Sequence, residues 1–333
     1  MIKKIFLLFL FSLLICAGAI SYLWHQLQNY RTTAVIKEDT VFTVPSGSHF
    51  RQLESQLVAA GIIKPSPYYV WLGRLYPELT PLKSGTYHLQ ANWTIEQVLQ
   101  QFVDGKEYQF KLTLIEGSTY KQWKQQIEQV EGVTLTGVLD DEAALAKKLG
   151  LAQSKLEGFL QPQTYLFPYH ATDLEVIERA YAAQQKDLDE AWQNRAKNLP
   201  LKTPYEALIL ASIIEKESGH APERKTIASV FINRLNANMR LQTDPTVIYG
   251  MGDRYDGNIR RKDLREATPY NTYVIDGLPP TPIAMPGKDA INAALNPADT
   301  PYYYFVSMGN GEHYFSKNLA EHNRAVRKYI LKK

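Results

Sequence analysis

The chain has 333 residues, 45% hydrophobic and 21% charged, a balance that builds folded cores and excludes a disordered or fibrous protein. Its formal charge is +3, and Lys3 and Lys4 supply two of those charges, which leaves no concentrated basic face for nucleic acid. Cys16 is the one cysteine, so neither an intramolecular disulfide nor a cysteine zinc cage is possible.

Residues 5–24 (IFLLFLFSLLICAGAISYLW) carry no charge and match the length of about 20 residues that a bilayer-spanning helix needs. Lys3 and Lys4 precede this run, and the next basic side chain beyond His25 is Arg31. The positive-inside rule then leaves residues 1–4 in the cytoplasm and sends everything after Trp24 across the membrane, an arrangement compatible with a bacterial envelope. Bulky Tyr22, Leu23 and Trp24 argue against a cleaved signal, and Ile15 before Cys16 argues against a lipoprotein signal. Residues 25–38 read as a linker.

One local pattern then occurs three times, at residues 42–53, 87–99 and 112–123. An alternating apolar run leads through a turn and a hydroxyl residue into an apolar-periodic helix. Ser48, Thr94 and Ser118 are the expected N-caps, and Leu53, Leu99 and Trp123, five positions later, are expected to face a core. Gln97 completes a capping box with Thr94. Residues 126–200 are mostly helical and charged, interrupted at 158–169 (GFLQPQTYLFPY) by a segment that reads equally as a groove-lining loop or a hydrophobic strap.

The segment TPYEALILASIIEKESG predicts a central helix: Thr203 caps it, Pro204 takes the first helical position, and Gly219 is a natural stop. Glu215 and Glu217 lie near its end. At about 100° per residue they diverge by about 200°, so they cannot act as a close carboxylate pair. Glu217 shares its face with Leu210, Ile213 and Ile214. Apolar neighbours and the helix C-terminus both disfavour its anion, which suits a general acid for glycosidic oxygen. Glu215 reads as pairing with an arginine or capping a neighbouring backbone; structural ion pairing remains open for both acids.

A second helix over 222–236 carries Ile227, Val230, Phe231 and Leu235, and the loops at 239–259 and 268–287 follow. These loops crowd Gln242, Thr243, Asp244, Tyr249, Tyr270, Asn271 and Tyr273 between stiffening prolines, a surface suited to carbohydrate. Gln242, Asp244, Tyr270 and Asn271 are the expected substrate-binding residues. Gly309-Asn310-Gly311 is a turn, no G-x-S-x-G elbow surrounds a serine, and His220 lacks metal-ligand spacing. No metal and no cofactor is expected; His313 and His322 look isolated.

ASIIEKESG, VFINRL, MRLQTDPTVIYGMG, YNTY and GLPPTPI together resemble the endolytic murein transglycosylases (the MltG or YceG-like family), along essentially the whole chain and most closely over 205–325. The resemblance implies an α+β protein: a transmembrane helix (5–24), a LysM-like module (39–110), a connecting strand–helix segment (111–160) and a catalytic domain (161–333). It implies cleavage of the bond between N-acetylmuramic acid (MurNAc) and N-acetylglucosamine (GlcNAc) within nascent glycan strands, leaving 1,6-anhydroMurNAc ends and terminating elongation. The second glutamate of the family's E-K-E motif is its essential acid, which maps to Glu217. Penicillin-binding-protein synthases are the partners the resemblance suggests, beside the glycan and the membrane, and it implies an inner-membrane protein with its catalytic domain in the periplasm. Because Asp244, Asp253 and Glu266 offer second carboxylates, a lysozyme-type hydrolase stays open, as does a non-catalytic wall-binding scaffold.

Overall fold

The structure is a computed structural model that describes residues 2–217 and 219–332. Met1, Ser218 and Lys333 lie outside the described residues. The chain is a mixed α/β protein with an N-terminal apolar helix, and it divides into two compact units, 1–110 and 111–333.

The first unit runs α1 (Ile2–Thr32), β1 (Thr40–Val44), α2 (Phe50–Ala59), α3 (Pro67–Leu75), β2 (Gly85–Leu89) and α4 (Ile95–Asp104). Strands β1 and β2 pair antiparallel, from Thr40 opposite Leu89 to Val44 opposite Gly85. Alternation along β1 sends Phe42 and Val44 inward onto a core with Leu53, Leu57, Tyr69 and Phe102. The helix length and apolarity of α1 suffice to cross a membrane.

The structure corrects the linker expected over residues 25–38. No glycine or proline interrupts residues 25–32, so α1 continues to Thr32. Leu27 and Ile36 are buried in the first unit's core, Gln28 Nε2 donates to the Tyr76 hydroxyl at 2.9 Å, and Arg31 pairs with Glu96 at 3.4 Å. The apolar helix is therefore built into the first unit.

Of the three expected caps one forms, one shifts by one residue, and one gives way to a helix start without a side-chain cap. Thr94 forms the expected capping box with Gln97. In the other repeats His49 precedes α2 without a side-chain cap, and Thr119 rather than Ser118 caps α5 (Tyr120–Glu128). The choice of Thr119 follows from Gln122, which stands three residues after it and returns the bond to its N–H. Leu53, Leu99 and Trp123 are all fully buried.

The second unit continues with β3 (Gln109–Thr113, straddling the division), α5, α6 (Glu142–Lys148), β4 (Thr164–Pro168) and α7 (Asp173–Gln193). Then come α8 (Pro204–Glu217), α9 (Arg224–Asn236), α10 (Asp244–Met251), α11 (Lys288–Leu295), β5 (Tyr304–Ser307), β6 (His313–Ser316) and α12 (Leu319–Tyr329). Strand β3 pairs with β4, and β5 pairs antiparallel with β6. Residues 111–160 belong to the same compact unit as the rest, with no division at 160.

Helix α8 is apolar on nearly every face, and its residues from Ala207 to Ile214 are buried among α7, α9 and α11. Leu160, Tyr165 and Phe167 are buried, so 158–169 acts as a strap. Gly158 makes the strap's closest approach possible: at φ +85°, a Cβ there would sit 2.6 Å from Pro282.

Candidate active site

The geometry of the site begins where α8 ends. Thr203 Oγ1 accepts the Glu206 N–H at 3.2 Å and sets the helix start, thirteen apolar-rich positions before Glu217 closes the helix. The Glu217 carboxyl accepts a hydrogen bond from the Thr243 hydroxyl. That hydroxyl is held by a buried threonine cluster. Thr243 N–H donates to Thr272 Oγ1 at 3.0 Å, and Thr246 Oγ1 donates to the Thr243 carbonyl at 2.8 Å. Loss of water contact raises the Glu217 pKa above the ordinary carboxylate range. The Thr243 bond opposes this, the Asp244 charge adds to it, and His313 opposes it.

Glu217 opens onto a cleft of 440 Å³ that Gln242, Asp244, Tyr273, Arg234 and His313 also line. The buried Arg234 shapes one wall: its guanidinium donates to the carbonyls of Tyr303 (2.7 Å), Arg240 (3.1 Å) and Leu241 (2.9 Å) and to Gln242 Oε1 (3.3 Å). These bonds hold Gln242 in a left-handed conformation, φ +51°, which a non-glycine residue adopts only when its surroundings dictate it. The Tyr273 hydroxyl donates to Asp244 Oδ1 at 2.7 Å and fixes the second carboxylate of the cleft. His313 Nδ1 stands 2.8 Å from Glu223 Oε2, and the His313 backbone N–H donates to Glu223 Oε1 at 3.1 Å.

Of the sequence-predicted residues, Glu217, Gln242 and Asp244 meet in this cleft. Tyr270 and Asn271, the other two residues expected to bind substrate, lie outside it. Asn271 is fully buried; its Nδ2 donates to the carbonyls of Asp263 and Glu266, and its Oδ1 accepts the Tyr273 N–H at 3.0 Å. It builds the loop that presents Tyr273. Tyr270 packs on Tyr249 with ring centroids 4.9 Å apart and lines a different cavity. Glu266 pairs with Arg254 at 3.0 Å, and Asp253 pairs with Lys121 at 2.7 Å, so of the three alternative carboxylates only Asp244 lines the cleft. Glu215 turns the other way, pairing with Arg224 at 3.0 Å and accepting the Gly287 N–H at 3.0 Å. Arg234, His313 and His322 are among the lining residues that the sequence did not disclose. Among the described residues no group of three or more His, Cys, Asp or Glu side chains could hold a metal ion.

The second cavity, 840 Å³, contains a buried acid, Glu157, between the Tyr120 N–H (2.8 Å) and the Tyr249 hydroxyl (3.1 Å). Burial pushes its pKa up from 4.5 to about 7. The unfolded chain releases this proton near 4.5 and the folded chain near 7, so the acid's stabilising contribution is complete below 4.5 and is lost as pH rises through 7. Glutamine can accept the Tyr120 N–H with its oxygen and donate its amide N–H to the Tyr249 hydroxyl oxygen, and it does not titrate. Against Glu157→Gln, the parent is expected to lose about 3 kcal/mol between pH 4 and pH 8, read as diverging unfolding temperatures. Parallel curves would contradict this.

A model of the YceG-like family matches residues 42–328, which include the whole of α8 and the cleft. The chain belongs to that family. The endolytic murein transglycosylase of Bacillus subtilis is 34% identical over 307 residues, spanning 87% of this chain and 84% of that protein. The endolytic murein transglycosylase of Streptococcus pneumoniae D39 is 31% identical over 324 residues and matches 87% of this chain, but the match spans only 58% of that longer protein. A YceG-like protein of Listeria monocytogenes with a crystal structure is 30% identical, with a TM-score of 0.52 over 87% of this chain and 99% of that one. Within the YceG-like frame, the cleft beside the end of α8 combines an acid biased toward its neutral form with a second, tyrosine-held carboxylate.

Proposed function

We propose that this chain is a membrane-anchored endolytic lytic transglycosylase that cuts the MurNAc–GlcNAc bond within nascent glycan strands. The observation that carries the reading is Glu217, desolvated at the end of a buried helix yet opening onto a cleft. Its relatives' shared name supports the substrate.

In the proposed reaction the neutral Glu217 gives its proton to the glycosidic oxygen as the bond from the MurNAc anomeric carbon breaks, and the bonding pair leaves with that oxygen. Positive charge develops on the MurNAc ring, and the Asp244 carboxylate, held by Tyr273, lies in the same cleft to stabilise it. The MurNAc C6 hydroxyl then attacks the anomeric carbon and returns its proton to Glu217. No water is consumed, and the acid is regenerated. Thr243 steadies the Glu217 anion between the two steps. The α+β make-up of the first unit supports its role as a LysM-like glycan-binding module, and α1 supports anchoring with the N-terminus in the cytoplasm. Cleavage next to the membrane suits the termination of strands under synthesis.

Mass analysis of digested glycan tests the reaction. 1,6-anhydroMurNAc ends are expected; reducing MurNAc ends would instead show a hydrolase that uses Asp244 to direct water. The hydrogen bond from Thr243 gives a further expectation. It favours the charged form of Glu217, so Thr243→Val raises the acid's pKa further. The basic limb of the pH–rate profile then moves to higher pH, and a limb that moves to lower pH would contradict the assigned bond.

A further inference from the structure

Resting on the anchored reading of α1, we propose that helix α3 of the first unit is seated in the lipid of the same bilayer, so that the unit lies on the membrane surface.

Residues Ile20, Trp24 and Leu27 fall on one stripe of α1, and Tyr68, Trp71 and Leu75 fall on one stripe of α3. The two stripes, with Leu23, enclose a groove of 260 Å³ that has only hydrophobic and aromatic residues on its walls. Leu27 is buried in the core, where α1 enters the unit. Toward the membrane the same groove opens out: Ile20, Leu23, Trp24, Trp71 and Leu75 are 49–66% exposed. A contiguous apolar patch of this kind requires an occupant.

Continuity with α1 identifies it. Counting from Ile5, Trp24 falls at the outer interface, where amphipathic rings collect, and Ile20 lies about 6 Å deeper. Trp71 and Leu75 wall the same groove as Ile20, Leu23 and Trp24, so lipid that enters the groove beside Ile20 contacts them too. Arg74 fits the same placement: its guanidinium lies over the Trp71 ring, 5.2 Å from the centroid, from where an exposed cation reaches lipid phosphates while its stem stays apolar.

The test uses the full chain with Cys16→Ala in vesicles of phosphatidylethanolamine and phosphatidylglycerol. Nitroxide labels are placed singly through Phe11→Cys on α1, Trp71→Cys on α3 and Ser154→Cys, an exposed position in the second unit. The label at 71 is expected to shift in the same direction as the label at 11, by less because it sits nearer the interface, gaining collisions with oxygen and losing those with a water-soluble nickel chelate, opposite to the label at 154. If 71 behaves like 154 while 11 stays lipid-exposed, the anchor stands and the seating of α3 is overturned. If 11 also behaves like 154, the anchored reading fails and the proposal fails with it. Exclusion of both reagents at 71 would show a protein surface, such as a second copy, covering the patch and would overturn the proposal too. Lipids brominated on their acyl chains provide a readout on the native side chain: they are expected to quench the parent's fluorescence more than that of Trp71→Phe, and equal quenching would contradict the seating.

Discussion

Glu217→Gln is expected to reduce strand cleavage by about 10⁴-fold, the upper end for a single proton-transfer group, because one side chain serves as acid and then as base. Glutamine is isosteric and can still accept the Thr243 hydrogen bond, so the unfolding temperature and glycan binding should remain near those of the parent. Glu215→Gln provides the internal contrast. It stands two residues away on the same helix, yet its contacts are Arg224 and the Gly287 N–H, and it is absent from the cleft. Its variant should cleave at close to the parental rate wherever it folds. Cleavage at the parental rate by Glu217→Gln would remove the assignment outright.

Arg224→Met is expected to destabilise the second unit by about 3–5 kcal/mol, the cost of leaving one member of a buried pair alone. The Glu215 side chain is 4% exposed and that of Arg224 11%. Without the guanidinium, Glu215 keeps the Gly287 N–H but faces the acids Glu116 and Asp289, whose charges push its pKa further up. For a unit of this size the loss corresponds to a fall in unfolding temperature of about 10 °C. The deficit should shrink in acid, where Glu215 protonates, and grow as pH rises through its raised pKa. The double variant Glu215→Gln with Arg224→Met should recover most of the loss, since no buried charge is left unpaired and the other partners of Arg224, Glu116 and Asp289, are solvent-exposed. A single variant as stable as the parent at neutral pH would show that the pair contributes nothing.

What was legible in the sequence was local. The cap at Thr203, the capping box of Thr94 with Gln97 and the apolar rod ending at Glu217 all depend on residues within a few positions of one another. The cap at Ser118 was misplaced by one residue, because adjacent hydroxyls in a turn compete and the glutamine three positions on decides for Thr119, whereas α2 starts at His49 without a side-chain cap. Asn271 looked like a ligand because its type and crowding fit one. Its partners, the carbonyls of Asp263 and Glu266, become visible only once the loop closes. His313 looked isolated because Glu223, its partner, is 90 residues distant in sequence. Arg234 was hidden by its place on a helix read for its apolar stripe. The linker after Trp24 failed for a related reason: nothing local shows that Leu27 has a core to enter.

The most direct measurement is the infrared difference spectrum between the parent and Glu217→Gln, followed through a pH titration with Glu157→Gln present in both to remove a second raised acid, while the signal of Glu215, present in both, cancels. A protonated-carboxyl band belonging to Glu217 should persist well above the pH at which ordinary glutamates ionise, and should disappear in step with the basic limb of cleavage activity. A Glu217 fully ionised at pH 5, with activity unchanged up to neutral pH, would contradict its role as the proton donor.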